Sequence, residues 1–144
     1  MRILVQRVLD AKVEIENKVV GSIDKGLLLL VGFNNEDTKD KLDWMVNKCV
    51  NMRIFDDENG KMNNSVLDEL GSILSVSQFT LYGNAKKGNR PSFIEALNPL
   101  DAEKLFDLFN QKLSDKIKVE TGEFGGDMKV TFTNDGPVTI LLEK

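Results

Sequence analysis

Three short segments hold most of the residues able to do chemistry. Ser77-Gln78-Phe79-Thr80-Leu81 places two hydroxyls, an amide and a phenyl ring at the end of an apolar run that starts at Ile73. Leaving a buried strand, such a segment would line a pocket with donors and a stacking surface. Read by itself, it is more simply a strand end whose polar residues satisfy nearby backbone groups. The second segment, Asn134-Asp135-Gly136-Pro137-Val138-Thr139, is a turn signal between two apolar stretches. An X-Pro bond is the only peptide that adopts cis at modest cost, roughly 0.5–1 kcal/mol against about 2.5–4 kcal/mol elsewhere. In that form Gly136-Pro137 would aim two consecutive carbonyls the same way, as a rigid pair of acceptors, although a plain β-turn is the simpler reading. The third segment, Lys86-Lys87-Gly88-Asn89-Arg90-Pro91-Ser92-Phe93, sets three cations beside glycine and an aromatic. It would suit phosphate, but such runs are more often solvated loops.

Two further stretches carry less. Gly122-Glu123-Phe124-Gly125-Gly126-Asp127 lacks a P-loop lysine and the dinucleotide-binding glycine spacing. Asp56-Asp57-Glu58-Asn59-Gly60 lacks the spacing and distal glutamate of a calcium loop and reads as a hairpin tip.

The absences constrain more. The chain has no histidine, so no Ser-His-Asp or Cys-His unit can form. With Cys49 its single cysteine, a typical structural zinc site is excluded as well, and no cofactor or metal is expected. Hydrolysis, if present, must draw on backbone donors, hydroxyls, carboxylates, lysines, an oxygen-ligated metal or the substrate's own groups. A net charge of −4 disfavours a general nucleic-acid binder. It leaves room for an enzyme that touches one end of an RNA through a local cationic patch.

These residues belong to a chain of 144 residues, 41% hydrophobic and 29% charged, the composition of a soluble globular domain. The longest apolar run, Leu27 to Val31, is too short to span a bilayer, so no membrane association is expected. Arg2 and Arg7 interrupt the N-terminal stretch before a signal-peptide core can develop. With one cysteine there is no internal disulfide, which fits a reducing cytosol.

The elements that must position the segments follow from periodicity. Met1 to Val8 alternates as a strand, with Ile3, Val5 and Arg7 on one face. Lys12 to Glu16, a turn at Asn17-Lys18 and Val19 to Ile23 form a hairpin. Gly26 to Phe33 suits a strand buried on both faces. Leu42, Met45, Val46, Cys49 and Val50 follow a helical repeat that Thr38 or Asp37 would cap. A second helix starts near Asn98, with Pro99 at its first position, Asp101 three residues after the cap, and Leu105, Leu108, Phe109 and Leu113 on its buried face. Asn59-Gly60 marks a turn, and Ile73 to Phe79 is a strand. Met128 to Thr133 and Val138 to Leu142 are two strands joined by Asn134–Pro137. Four strands ahead of either helix argue against a Rossmann sheet. They favour one α/β domain over residues 1–144, with a mixed, largely antiparallel sheet and two main helices.

Together the segments resemble the D-aminoacyl-tRNA deacylase family. Its signatures S-Q-F-T and N-x-G-P-V-T stand complete at Ser77–Thr80 and Asn134–Thr139. The likeness extends over essentially the whole chain, through Gln6-Arg7-Val8, Gly26-Leu27-Leu28, Arg53-Ile54-Phe55, Gly60-Lys61-Met62-Asn63, Arg90-Pro91-Ser92-Phe93 and Phe124-Gly125. Gly126, where the family often has alanine, is a small departure. A paralogous deacylase group of different amino-acid preference replaces S-Q-F-T, so its presence here favours the D-specific branch.

The resemblance implies a barrel-like sheet and a homodimer acting on the 3′ acceptor end of aminoacylated tRNA. Ser77, Gln78, Phe79 and Thr80 would form the pocket floor, with Met128 close by. Gly136-Pro137 would reach into the partner's pocket, braced by Arg7. Its carbonyls would hold the substrate's α-amino group and leave no space for an L side chain, so D-aminoacyl and glycyl groups would enter. The adjacent ribose 2′-hydroxyl would assist attack, with backbone N–H groups near Phe79 and Thr80 stabilising the oxyanion. Direct attack by the Thr80 hydroxyl is the alternative mechanism, weakened by the lack of an evident base. A noncatalytic dimeric RNA-binding module and a small-molecule sensor are the competing readings.

Overall fold

The computed structural model covers residues 1–144. Its first element, β1 (Arg2–Ile15), is one strand of 14 residues, where the sequence suggested a strand followed by the first arm of a hairpin. Ile3, Val5 and Arg7 are buried, then Val8, then Ala11 and Val13. Side chains alternate along a strand, so burial of Arg7 and Val8 in succession marks a change of facing. The register against β8 (Lys129–Glu143) slips at the same place, on either side of Val8. The two halves of β1 thereby serve different cores.

One edge of β1 pairs antiparallel first with β3 (Gly26–Gly32) and then with β2 (Lys18–Ile23), while β8 runs antiparallel along the other edge. From β3 the sheet continues in parallel to β6 (Ser72–Ser77) and on to β7 (Val119–Thr121). There β7 returns against β2. A Cβ on Gly21 would lie 2.7 Å from the Thr121 carbonyl oxygen, an approach that only a residue without a side chain allows. The result is a nearly closed, barrel-like ring in the order β1, β3, β6, β7, β2. A small hairpin, β4 (Phe55–Asp56) with β5 (Met62–Asn64), stands apart and turns at Asn59-Gly60.

The barrel interior gathers Val8, Ala11, Val13, Ile23, Leu28, Leu74 and Val76. Its outer face, with Ile3, Val5, Leu27, Leu29, Val31 and Ile73, packs against the helices in the larger core. Because Leu28 faces inward while Leu27 and Leu29 face outward, β3 is apolar without alternation, as its sequence suggests. Helix α1 (Lys39–Asn51) buries Leu42, Met45, Val46, Cys49 and Val50, the expected stripe, although the Thr38 side chain makes no capping bond. Helix α2 (Pro99–Ser114) is capped by Asn98, whose side chain accepts from the Asp101 amide at 3.1 Å.

Three expectations need correcting, and one strand escapes the sequence. The buried face of α2 is Ala102, Phe106, Phe109, Asn110 and Leu113, with Leu105 and Leu108 only half-buried. A small residue and an amide on the stripe disguise its centre. The Ile73 strand ends at Ser77, and Phe79–Tyr82 forms a 3₁₀ turn. Strand β7, three half-buried residues with a glutamate in the middle, has too little pattern to be found in the sequence. Finally, the two C-terminal segments are not separate strands. Both lie on β1, as one element interrupted at Asp135–Val138.

Candidate active site

A cavity of about 650 Å³ opens at the carboxyl ends of the parallel pair β3 and β6. Parallel strands leave a crevice where their chains depart, the usual place for a ligand in such sheets. Val31, Gly32 and Phe33 leave β3 here, and Val76, Ser77 and Gln78 leave β6. Phe79 and Phe93 form one wall as an edge-to-face pair with centroids 5.0 Å apart. The start of α2, at Asn98, Pro99 and Ala102, and the segment Phe124–Met128 complete it. Asp127 is the single ionisable residue in this lining. The cavity therefore offers apolar surface and backbone, and little with which to move protons.

The 3₁₀ turn explains the Ser77–Thr80 segment. The Gln78 amide donates to the Val31 carbonyl at 2.7 Å, extending the β3–β6 ladder past the end of β6. Leu81 N–H then donates to Gln78 O, and Gly83 N–H to Thr80 O. The amides of Phe79 and Thr80 precede that first bonded turn and have no carbonyl within it. Gly32 underlies the turn: a Cβ there would lie 2.9 Å from Gln78 O. Thr80 is exposed, and its Oγ1 accepts from Gln78 Nε2. A neutral amide is not basic enough to take the hydroxyl proton in either orientation, so Gln78 is no base for the Thr80 hydroxyl. Burial pushes the nearby Tyr82 phenol well above its ordinary value, which removes it as a proton carrier.

Met128 lines the cavity and lies over Gly122, where a Cβ would be 2.5 Å from the Met128 sulfur. The structure thus brings Ser77, Gln78, Phe79 and Met128 together, while Thr80, next in the chain, is not in the lining. Gly136, Pro137 and Arg7 are not in the lining. They form a second cluster, in which Gly136-Pro137 is a cis bond and both residues are exposed.

There the side chain of Asn134 donates to Arg7 O at 3.0 Å and to Val138 O at 3.1 Å, and accepts from Thr139 Oγ1. These bonds close the neck of the Asp135–Val138 excursion, which gives the asparagine and threonine of the motif a structural role. Buried Arg7 lies beneath it. Its Nε is 2.9 Å from Asp135 Oδ2, an ion pair whose angle is poor for a hydrogen bond. Its Nη1 donates to Ile54 O at 2.8 Å. Gly136 has φ +113, and a Cβ on it would lie 3.2 Å from Arg7 Nη2.

The lining also contains residues that sequence reasoning did not single out: Val31, Gly32 and Phe33, Leu97 to Pro99, and Ala102. Apart from Asn98, which caps α2, these residues are apolar or glycine and give no chemical signal. Only the rule that ligands sit at the ends of parallel strands would have found the first three. Lys86, Lys87 and Arg90 are exposed on the loop that carries Phe93, between Asn84 and Ser92, whose backbones bridge.

Residues 4–143 match the family described as D-Tyr-tRNA(Tyr) deacylase. A protein of Brevibacillus brevis named D-aminoacyl-tRNA deacylase is 55% identical over 144 residues, covering 99% of each chain. One of Kosmotoga olearia with the same name is 53% identical, covering 99% of this chain and 97% of its own. A solved structure titled c-Myc DNA Unwinding Element Binding Protein superposes with a TM-score of 0.95 at 40% identity, covering 100% of this chain and 99% of that one.

Proposed function

This chain belongs to the D-Tyr-tRNA(Tyr) deacylase family, whose members are hydrolases of the ester in aminoacyl-tRNA, and we propose that it releases free D-amino acids from tRNA through the cavity at the ends of β3 and β6. The observation that carries the reading is the 3₁₀ turn at Phe79–Tyr82. It leaves two amides without turn partners beside a cavity almost free of ionisable groups. Such a site suits an ester that is already activated.

Water attacks the ester carbonyl, the amides of Phe79 and Thr80 stabilise the oxyanion, and the bond to the ribose 3′ oxygen breaks. The neighbouring ribose 2′-hydroxyl relays the proton from water to that departing oxygen. Nucleophilic attack by Thr80 is the second reading, and it is weakened because Gln78, the partner of that hydroxyl, is no base.

The chiral filter is supplied by a second copy. The exposed Gly136-Pro137 excursion of one subunit enters the other's cavity, and its carbonyls hold the substrate's α-amino group where an L side chain would clash. Supporting this are its position outside its own chain's cavity and its brace of Arg7 and Asn134. Glycyl-tRNA, with no side chain to clash, is a substrate too. The buried, unpaired Cys49 is in keeping with work in the reducing cytosol.

The test is multiple-turnover hydrolysis of D-aminoacyl-, L-aminoacyl- and glycyl-tRNA, with sedimentation of the enzyme. D and glycyl substrates should turn over and L should not, in a dimer. Equal rates for D and L, or an active monomer, would remove the cross-subunit filter. Full-rate cleavage of a 2′-deoxy substrate together with a dead Thr80→Ala variant would replace the substrate-assisted mechanism with the threonine nucleophile.

A further inference from the structure

Four residues make up the Phe79–Tyr82 turn, and its outer side is open: Phe79 and Thr80 are both exposed. So short a turn cannot hold its own orientation, because the single bonded turn leaves carbonyls at its end unsatisfied. The β3 side is fixed by the Gln78–Val31 bond and by the close approach of Gly32. At the other end, Arg2 Nη1 donates to the Leu81 carbonyl at 3.0 Å, and the guanidinium carbon lies 4.5 Å above the centre of the Tyr82 ring. Arg2 is itself held from behind. Its Nε and Nη2 donate to Glu143 Oε1 at 3.1 and 3.0 Å, across the β1–β8 pairing in which Arg2 and Glu143 are direct partners.

The geometry points to Arg2, oriented by Glu143, as a positioning residue that fixes the Phe79 and Thr80 amides against the reacting carbonyl. This rests on those amides being the oxyanion donors. The arrangement does little for the fold. The Glu143 carboxylate is 58% exposed, and solvent screening leaves ion pairs of that kind little net contribution to stability. What three fixed contacts on one fork do achieve is direction, since oxyanion donors lose their effect when displaced by about 1 Å. A planar guanidinium can serve the carbonyl, the ring and the carboxylate at once, and an ammonium cannot.

The experiment compares the full chain with Arg2→Met, Arg2→Lys and Glu143→Gln, measuring kcat and KM on D-tyrosyl-tRNA and the melting temperature of each. Arg2→Met should lower kcat about tenfold or more with KM within about twofold, because the contact acts only where charge develops. The melting temperature should fall by only a few degrees. Arg2→Lys should recover part of kcat and Glu143→Gln should lose part of it. Wild-type kcat in folded Arg2→Met overturns the proposal, as does a loss confined to KM. Should Arg2→Met fail to fold, the other two decide: intermediate kcat in both supports the anchor, and wild-type kcat in both overturns it. Phenyllactate at position 79, which deletes the Phe79 N–H, separates the two levels. A normal rate there removes the oxyanion reading itself. A slowed rate there beside full activity in Arg2→Met removes the anchor alone.

Discussion

Asn134 shows how a motif residue can act without touching substrate. Its amide bridges Arg7 O and Val138 O, so Asn134→Ala would leave two half-buried carbonyls and Thr139 Oγ1 without their partner. About 1–2 kcal/mol of stability should be lost, read as a lower urea midpoint. Deacylation should fall further than that loss explains, since the excursion carrying Gly136 would no longer be closed at its neck. A rate that merely tracks stability would show that the excursion has no part in the reaction. A second expectation at this scale concerns pH. With no histidine in the chain and Asp127 the one ionisable lining residue, kcat should show no inflection near neutrality where an imidazole would titrate. A bell-shaped profile centred there would require a base from elsewhere. Residue types alone made Ser77–Thr80 and Asn134–Thr139 visible as segments. They could not reveal Gly32 or Ala102, whose contribution is a small size at a place set by other strands.

Elements were legible where their periodicity was strong. Helix α1 shows its whole apolar stripe, and Pro99 with Asn98 marks the start of α2 within a residue. The interruption of β8 was misread because a turn signal and an excursion between two collinear strand halves use the same residues. The loop from Asn84 to Phe93 joins Lys86, Lys87 and Arg90 to a wall of the cavity, so replacing all three by alanine should weaken tRNA binding and leave the preference for D over L unchanged. Filter binding at low salt measures the first and paired hydrolysis assays the second, and unchanged affinity would mark the loop as solvated surface. Acid sensitivity also belongs to the elements. Asp101 is held below the usual carboxylate range by Asn98 and Lys104, Asp68 by Ser65, and Asp57 by Asn63 and the Lys61 amide. A carboxyl whose folded-state value is depressed supports the fold above its unfolded value, near pH 4, and gives up that support as pH falls through the folded-state value. Urea midpoints should therefore decline below about pH 4, and Asp101→Asn should flatten part of the decline.

At the scale of the molecule, the net charge is −4 and only Lys86, Lys87 and Arg90 lie on the loop beside the cavity, so few phosphates can be neutralised there and the salt dependence of binding should be shallow. The near-closed ring was only partly readable. The sequence announces many strands and two helices, but strand order depends on contacts between residues a hundred positions apart, such as Gly21 and Thr121. That contact has a consequence in time. β2 hydrogen-bonds only to β1, and β7 only to β6, so the place where they meet is packed but not laddered. It is a seam. Hydrogen–deuterium exchange should enter the barrel there, with the outward amides of β2 and β7 exchanging well before those of β1, β3 and β6. Uniform protection around the ring would show that the seam is as tight as a ladder. Because β7 leads directly into Gly122–Met128, the segment that walls the cavity, slow breathing of the seam would set how often that wall loosens to admit one acceptor end and release another.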